Sequence, residues 1–242
     1  MIALDERLEM ASASVADIAL SFPQSIEILN RYNLDYCCNG KKHFVEMCTK
    51  VNLNPGIIWS EIMEKKEAPG ADQRMKFDTW ETSLLVDFII QHHHRYVRES
   101  IPQLQELLNK VCLAHGNDLP ELLEIRNDFE ALAQELLNHL PKEEDLLFPA
   151  IKRIMSKNDV PSESSPLFAD LRAPLSLMEH EHEIAGDLVK SIRFLTNKYS
   201  APANACPTFQ LTYKLLQEFD NDLIQHIHLE NNILFPRVKS RT

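Results

Sequence analysis

Glycine is scarce in this chain, at five of 242 residues. Leu and Glu are abundant, apolar segments recur at helical spacing, and the composition points to an all-α protein. Basic residues are outnumbered, with 25 Lys and Arg against 36 Asp and Glu and a formal net charge of −11. That balance argues against nucleic acid or an anionic membrane surface as the main partner. No apolar run approaches the length needed to span a bilayer. The N-terminus also lacks a basic segment followed by an apolar stretch, so a soluble, cytoplasmic protein is expected. The five cysteines, Cys37, Cys38, Cys48, Cys112 and Cys206, are odd in number and irregularly spaced. They do not form a secreted disulfide framework, and reduced thiols in a cytosol fit better.

What the chain does have is a motif that occurs twice. The first copy is His139-Leu-Pro-Lys-Glu143-Glu-Asp-Leu-Leu-Phe148-Pro149, and the second is His226-Ile-His-Leu-Glu230-Asn-Asn-Ile-Leu-Phe235-Pro236. Both read H-x3-E-x4-F-P. A four-residue step on an α-helix turns about 400°, which stacks His and Glu on one face. The repeat extends backwards, because His94 precedes His139 by 45 residues and His182 precedes His226 by 44. Two helical hairpins related by a pseudo-twofold are therefore expected, each offering two His and one Glu.

Along the chain, residues 1–67 read as a small helical domain. Ser14 caps a helix from Val15, Pro23 opens a second carrying Ile26, Ile28 and Leu29, and Asn54-Pro55 begins a third. Between them lies Asp35-Tyr36-Cys37-Cys38-Asn39-Gly40, whose Asn-Gly marks a turn. Residues 68–78, with Ala68-Pro69-Gly70, read as a linker. Residues 79–242 hold four long helical segments, about 81–113, 119–156, 168–199 and 207–239. The first carries Ile90, His94, Val97, Ile101, Leu104, Leu108 and Val111 on one stripe. The second runs through Leu136, His139, Glu143, Leu146 and Ala150. The third carries Met178, His182 and Ala185, and the fourth has neighbouring rows through Phe219, His226, Ile233 and through Leu216, Leu223, Glu230. All six repeated polar residues thus occupy interior positions of a four-helix bundle. Pro102 is expected to kink the first segment, and Pro141, between two of the six, to bend the second.

Burying four imidazoles and two carboxylates is costly unless each is paired or bound to metal. A lone His on an apolar face is ordinarily a core residue with one hydrogen bond, but four on four helices with two Glu at a repeated spacing are not. The other six histidines fall off the stripes. His92, His180 and His228 each lie about 200° from it, His93 and His115 are off it, and His43 belongs to the small domain. Surface or supporting positions are expected for all six. The Phe-Pro pairs read as aromatic packing before the helix continues or ends, and Glu144 and Asp145 as a solvated face. With no thiolate in the set, Cys-rich zinc, copper and iron–sulfur sites are disfavoured. Carboxylates able to bridge two cations in a four-helix bundle suit a di-iron or di-manganese centre. If both Glu bridge, each ion keeps one or two positions for an oxo bridge, solvent, dioxygen or nitric oxide.

The repeated motif, the His that opens each half and Asp-Tyr-Cys-Cys-x-Gly ahead of the bundle together resemble the repair of iron centres family. The resemblance covers nearly the whole chain. It implies a hemerythrin-like four-helix bundle behind a small helical domain with a cysteine pair. It also implies two iron ions, with manganese the weaker alternative, held by His94, His139, His182 and His226 as terminal ligands and by Glu143 and Glu230 as bridges. It further implies induction under nitrosative or oxidative stress, damaged iron–sulfur proteins as partners, and repair by supply of iron. Glu181 matches a carboxylate the family has beside this His and is expected to support the ligands or line an access path, with a surface charge as the plain alternative. Cys37 and Cys38 match the family's pair, with thiol chemistry, nitrosyl capture or iron hand-over as readings and a turn or packing role as the alternative. Two rival functions remain at the same centre. One is a redox enzyme reducing nitric oxide or peroxide, and the other a module that binds or senses oxygen or nitric oxide. The two-His-per-metal symmetry differs from the five-His set of oxygen-carrying hemerythrins. The client proteins and a possible homodimer are left open by the sequence.

Overall fold

A computed structural model of the chain describes residues 10–38, 40–67, 75–156 and 171–241. Asn39 of the expected turn, residues 68–74 of the expected linker and residues 168–170 at the start of the third long segment lie outside the described residues. The described residues are helical throughout, and their one bridge of β type is the isolated pair Ser14–His43. They fall into two units. The first is the chain up to Trp80 together with the turn His228–Ile233; the second runs from Glu81 to Ile227 and resumes at Leu234.

The first unit contains α1 (Val15–Ser21), α2 (Ile26–Arg31), α3 (Phe44–Lys50) and α4 (Pro55–Glu67). Ser14 and Asp17 form a reciprocal capping box at the start of α1, which satisfies N–H groups that a helix end leaves without partners. Two more first-turn donors are taken up by the chain beyond the cysteine pair: Val15 N–H reaches Lys42 O at 3.1 Å and Ala16 N–H reaches Gly40 O at 2.9 Å. Gly40 is required by this close approach, since a Cβ there would lie 2.4 Å from Tyr36 O and 2.7 Å from Ala16 Cβ. Pro23 opens a single 3-10 turn, Pro23–Ser25, that runs into α2. The sequence reading has no helix between Gly40 and Asn54, where α3 lies. Its only signal is Phe44 and Cys48, four residues apart and both fully buried. Trp59 fills the centre, against the rings of Phe22 and Phe44.

The second unit is built from four long helices, of which the last passes through the first unit at His228–Ile233. Helix α5 (82–115) consists of Thr82–Phe88, a π turn Ile89–His94 and Arg95–His115. Helix α6 (121–156) is Glu121–Lys142, a π turn Glu143–Leu147 and Phe148–Ser156. Helix α7 is Arg172–Leu195, and α8 (207–239) is Pro207–Leu229, a π turn Glu230–Leu234 and Phe235–Lys239. Helix α6 packs on both α5 and α7, while Phe219 on α8 meets Phe129 of α6 and Tyr96 of α5. Among the described residues no helix is long and apolar enough to cross a membrane.

The π turns correct the expected stripes. Each one closes its hydrogen bond over five residues instead of four, as where Phe148 N–H donates to Glu143 O. One residue is thereby inserted into the helical phase. On α5 the buried residue ahead of His94 is Ile89, and Ile90 is half-buried. On α6 Leu147 is 3% exposed, whereas Leu146, assigned to the core by its spacing, is 72% exposed. The expected bend at Pro141 is likewise not the irregularity that the two copies share. Pro102 and Pro141 both lie within α-helix, while a π turn follows the Glu of both copies and only one has a proline between its ligands. Both copies do share a proline two residues past the turn, Pro149 and Pro236, which lacks an N–H and whose ring crowds the carbonyl four residues back, while the π turn of α5 forms without one. The wider turn ahead of each proline relieves that crowding.

At the end of the bundle away from the π turns, Arg193 on α7 makes two hydrogen bonds to Asp220 on α8, at 2.9 and 2.7 Å, and Tyr199 Oη donates to the same carboxylate at 2.7 Å. Tyr199 closes a run of three left-handed residues, Asn197, Lys198 and Tyr199, so Asp220 anchors a turn that non-glycine residues adopt at a cost. Asp220→Ala leaves the Arg193 guanidinium buried without its carboxylate and is expected to lower unfolding free energy by about 3 kcal/mol. Urea denaturation measures it, and the double variant Asp220→Leu/Arg193→Met should recover most of the loss.

Candidate metal centre

The six repeated residues all lie out of solvent. His94, His139, Glu143, His182, His226 and Glu230 are each at most 3% exposed. Their ligand atoms form two groups, His94, Glu143, His226, Glu230 and His139, Glu143, His182, Glu230, with all atoms of a group within 4.8 Å of one another. Both groups contain the same two carboxylates. Glu143 and Glu230 each open a π turn one helical turn after a repeated His.

The imidazoles meet in pairs through their inner nitrogens. His94 Nε2 lies 3.0 Å from His226 Nε2, and His139 Nε2 lies 3.2 Å from His182 Nε2. Glu143 Oε2 stands 3.4 Å from His94 Nε2 and 3.2 Å from His139 Nε2. Each pair is braced from outside by a carboxylate. Glu144 Oε1 sits 2.7 Å from His94 Nδ1 and takes a hydrogen bond from Arg98, while Glu181 Oε2 sits 2.8 Å from His139 Nδ1 and takes one from Lys142. Burial works against the charge on Glu144, and Arg98 with His94 outweighs it, so its carboxyl is held below the ordinary value. Glu181 is held down in the same way, with Lys142 and His139 prevailing over burial. An ionised carboxylate at Nδ1 makes that nitrogen the donor and leaves the Nε2 lone pair pointing inward. The lone pairs of His94 and His139 each lie from Glu143 Oε2 at about the separation that two donors adopt on one ion with bonds of about 2.1 Å. The donor set fits a pair of cations.

The Phe of each Phe-Pro pair packs against the His that opens its own half: Phe148 on His94 at 5.6 Å and Phe235 on His182 at 5.9 Å between ring centroids. Glu144, which spacing assigned to a solvated face, is turned inward with the π turn that begins at Glu143; Asp145 is exposed. Two histidines for which surface or supporting positions were expected are buried, His93 (0% exposed) in the π turn of α5 and His228 (3%) in the α-helical stretch ahead of the π turn of α8, where its ring packs on Tyr36. His92, His180 and His43 are exposed.

Cys37 and Cys38 are not brought into the six-residue cluster. They form a separate group with Asp35 in the first unit, where Asp35 Oδ1 accepts the backbone N–H of both, at 3.2 and 3.0 Å. The two sulfurs stand 3.5 Å apart. The Cys38 sulfur, burial and the Asp35 carboxylate together push the Cys37 thiol well above its ordinary value. In the same unit Asn232 Nδ2 donates to Tyr36 O at 3.0 Å, and Asn231 Nδ2 reaches Cys37 O at 3.4 Å. Cys112 donates to Leu122 O, and Cys206 lies against His115.

Two outcomes follow for these groups. Glu144→Gln and Glu181→Gln are each expected to weaken metal binding by roughly ten- to a hundredfold, with Asp145→Asn leaving it unchanged, as read by competition with a chromogenic chelator. Iodoacetamide at pH 7.5 is expected to label Cys37 at least about tenfold more slowly than an unperturbed thiol, since the thiolate is the nucleophile; peptide mass mapping over time reads the rate.

Residues 86–238 match the model of the hemerythrin HHE cation binding domain, and residues 11–66 match the ScdA_N domain, a domain of unknown function (DUF542). The chain is 36% identical to the iron-sulfur cluster repair protein YtfE of Pectobacterium atrosepticum over 93% of this chain and 95% of that one. It is 33% identical to the protein of the same name from Edwardsiella ictaluri, over 92% and 95%. With a probable iron-sulfur cluster repair protein of Haemophilus influenzae it shares 34% identity, over 96% and 98%. With both of its domain matches and near-complete coverage of these relatives, the chain belongs to the family of iron-sulfur cluster repair proteins with a hemerythrin-like cation-binding domain.

Proposed function

We propose that this chain repairs iron–sulfur clusters by donating iron from a pair of ions held by His94, His139, His182 and His226 and shared between Glu143 and Glu230. The observation that carries this reading is that the two four-residue groups have both carboxylates in common. Two cations so placed neutralise both buried carboxylates and take up the inward nitrogens, which offsets the cost of burying the set. The names of the relatives support repair as the role.

When bound, the iron pair supplies cargo for a depleted cluster, with two His and two carboxylate oxygens per ion leaving its coordination incomplete. The chain's residues set how readily that cargo moves. Glu144 and Glu181 hold two of the imidazoles in one tautomer and orientation. Phe148 and Phe235 stack on the rings of His94 and His182 and limit their movement. The shared carboxylates sit at the start of π turns, the points of their helices where backbone hydrogen bonds already depart from the α pattern.

The test is recovery of a nitric-oxide-inactivated iron–sulfur dehydratase under anaerobic conditions. The iron-loaded protein is compared with the same amount of free ferrous iron and with His226→Ala. Faster recovery with the intact protein, matched by loss of its own iron, is the expected outcome; recovery no better than with free iron would remove iron donation as the mechanism.

A further inference from the structure

Beside the six-residue cluster, on the outer side of His226, lies a second group of metal-ligating side chains that the repair centre does not use. His92 and His93 come from the π turn of α5 and Asp222 from α8, with one ligand atom of each within 4.8 Å of the others. Consecutive residues on an α-helix diverge by about 100°. In this turn the rings of His92 and His93 instead stand 4.8 Å apart, nearly perpendicular. His93 Nδ1 lies 2.9 Å from Asp222 Oδ1, close to the spacing of two donors set at right angles on one ion with bonds of about 2.1 Å.

An independent observation points to a ligand here. His93 is fully buried, and among the described residues its Nε2 and Asp222 Oδ2 have no hydrogen-bond partner, though both atoms are shielded from solvent. Buried polar atoms without partners are few in folded proteins and call for an ion, a water or a chemical role. A carboxylate oxygen is an electron-pair donor, and a cation held beside His93 Nδ1 and Asp222 Oδ1 is within reach of Asp222 Oδ2 of the same carboxylate. The group is also accessible, since His92 is exposed, and Phe88 stacks on its ring and packs edge-on to His93. On its inner side His93 lies parallel to His226, 4° apart in plane and 5.6 Å between centroids. The two clusters share that wall.

We propose that His92, His93 and Asp222 form a third cation site, mononuclear and open to solvent, that takes a divalent first-row transition metal and serves as the port through which metal enters and leaves the buried pair. Two imidazoles, one carboxylate and free positions are the donor set suited to iron(II), and the absence of thiolate disfavours copper(I). The site stands on its own geometry; its role as a port rests on the donation of iron proposed above.

The experiment counts cobalt(II), as an oxygen-stable probe, bound to the full-length protein at equilibrium dialysis, and then times the loss of iron(II) to a chelator. The intact chain is expected to hold three equivalents, His92→Ala and Asp222→Asn two, and Glu143→Leu, which removes the shared carboxylate of the buried pair, one. Glu143→Leu/Asp222→Asn is expected to hold none. His92→Ala is expected to slow iron(II) loss from the buried pair at least fivefold. Two equivalents in the intact chain, or a third that survives His92→Ala and Asp222→Asn, would overturn the site, and an unchanged rate of loss in His92→Ala would overturn the port. Circular dichroism of each variant separates loss of a ligand from loss of fold. The metal count is independent of cluster repair, so failure in the dehydratase assay leaves it standing.

Discussion

Two carboxylates and four imidazoles, none more than 3% exposed, must be accommodated among the side chains of four helices, and the rest of the bundle is arranged around that requirement. Left without counter-charge, such a set would cost several kcal/mol per buried ion. The structure meets the requirement in layers. Glu144 with Arg98 and Glu181 with Lys142 orient two of the imidazoles from outside, Phe148 and Phe235 close over the other sides, and the inward donors are grouped at spacings that cations can bridge. The outer carboxylates are themselves paired with cations at the surface. Outward from two of the imidazoles, a carboxylate and then an arginine or lysine follow in turn.

The four long helices and the six repeated residues could be read from spacing alone, because a His and a Glu one turn apart stay on one face whatever happens further along. What spacing could not supply was the phase beyond each Glu. The π turns at Ile89–His94 and Glu143–Leu147 insert one residue, so Ile89 replaces Ile90 in the core and Leu147 replaces Leu146. The same slip brings Glu144 onto His94 and buries His93. On α6 and α8 the signal was present in the repeated Phe-Pro, since a proline two residues past the turn removes a donor and crowds a carbonyl that a wider turn relieves; the turn Ile89–His94 is followed by Arg95-Tyr96 and carried no such signal. Helix α3 gave less warning, since its seven residues include the β-branched Val45 and Thr49 and its burial depends on Trp59, which follows it in the chain.

The small unit shows how a short motif earns its composition. Asp35 folds the chain over the two cysteine N–H groups, Gly40 passes too close to Tyr36 and Ala16 for any side chain, and the carbonyls between them accept hydrogen bonds from Asn231 and Asn232. These asparagines are the two residues after Glu230, so the backbone of the cysteine pair and the turn that begins with a shared carboxylate are held within one unit. The elevated Cys37 thiol sets this pair apart from an exposed nucleophile.

Donation of iron as proposed requires that two iron ions share Glu143 and Glu230. The most direct measurement is an anomalous difference map collected at the iron absorption edge from crystals of the iron-loaded protein. Two peaks are expected between the four helices, one beside His94 and His226 and the other beside His139 and His182, with both carboxylates reaching both peaks. A single peak, or two peaks with Glu143 or Glu230 bound to only one of them, would contradict that sharing.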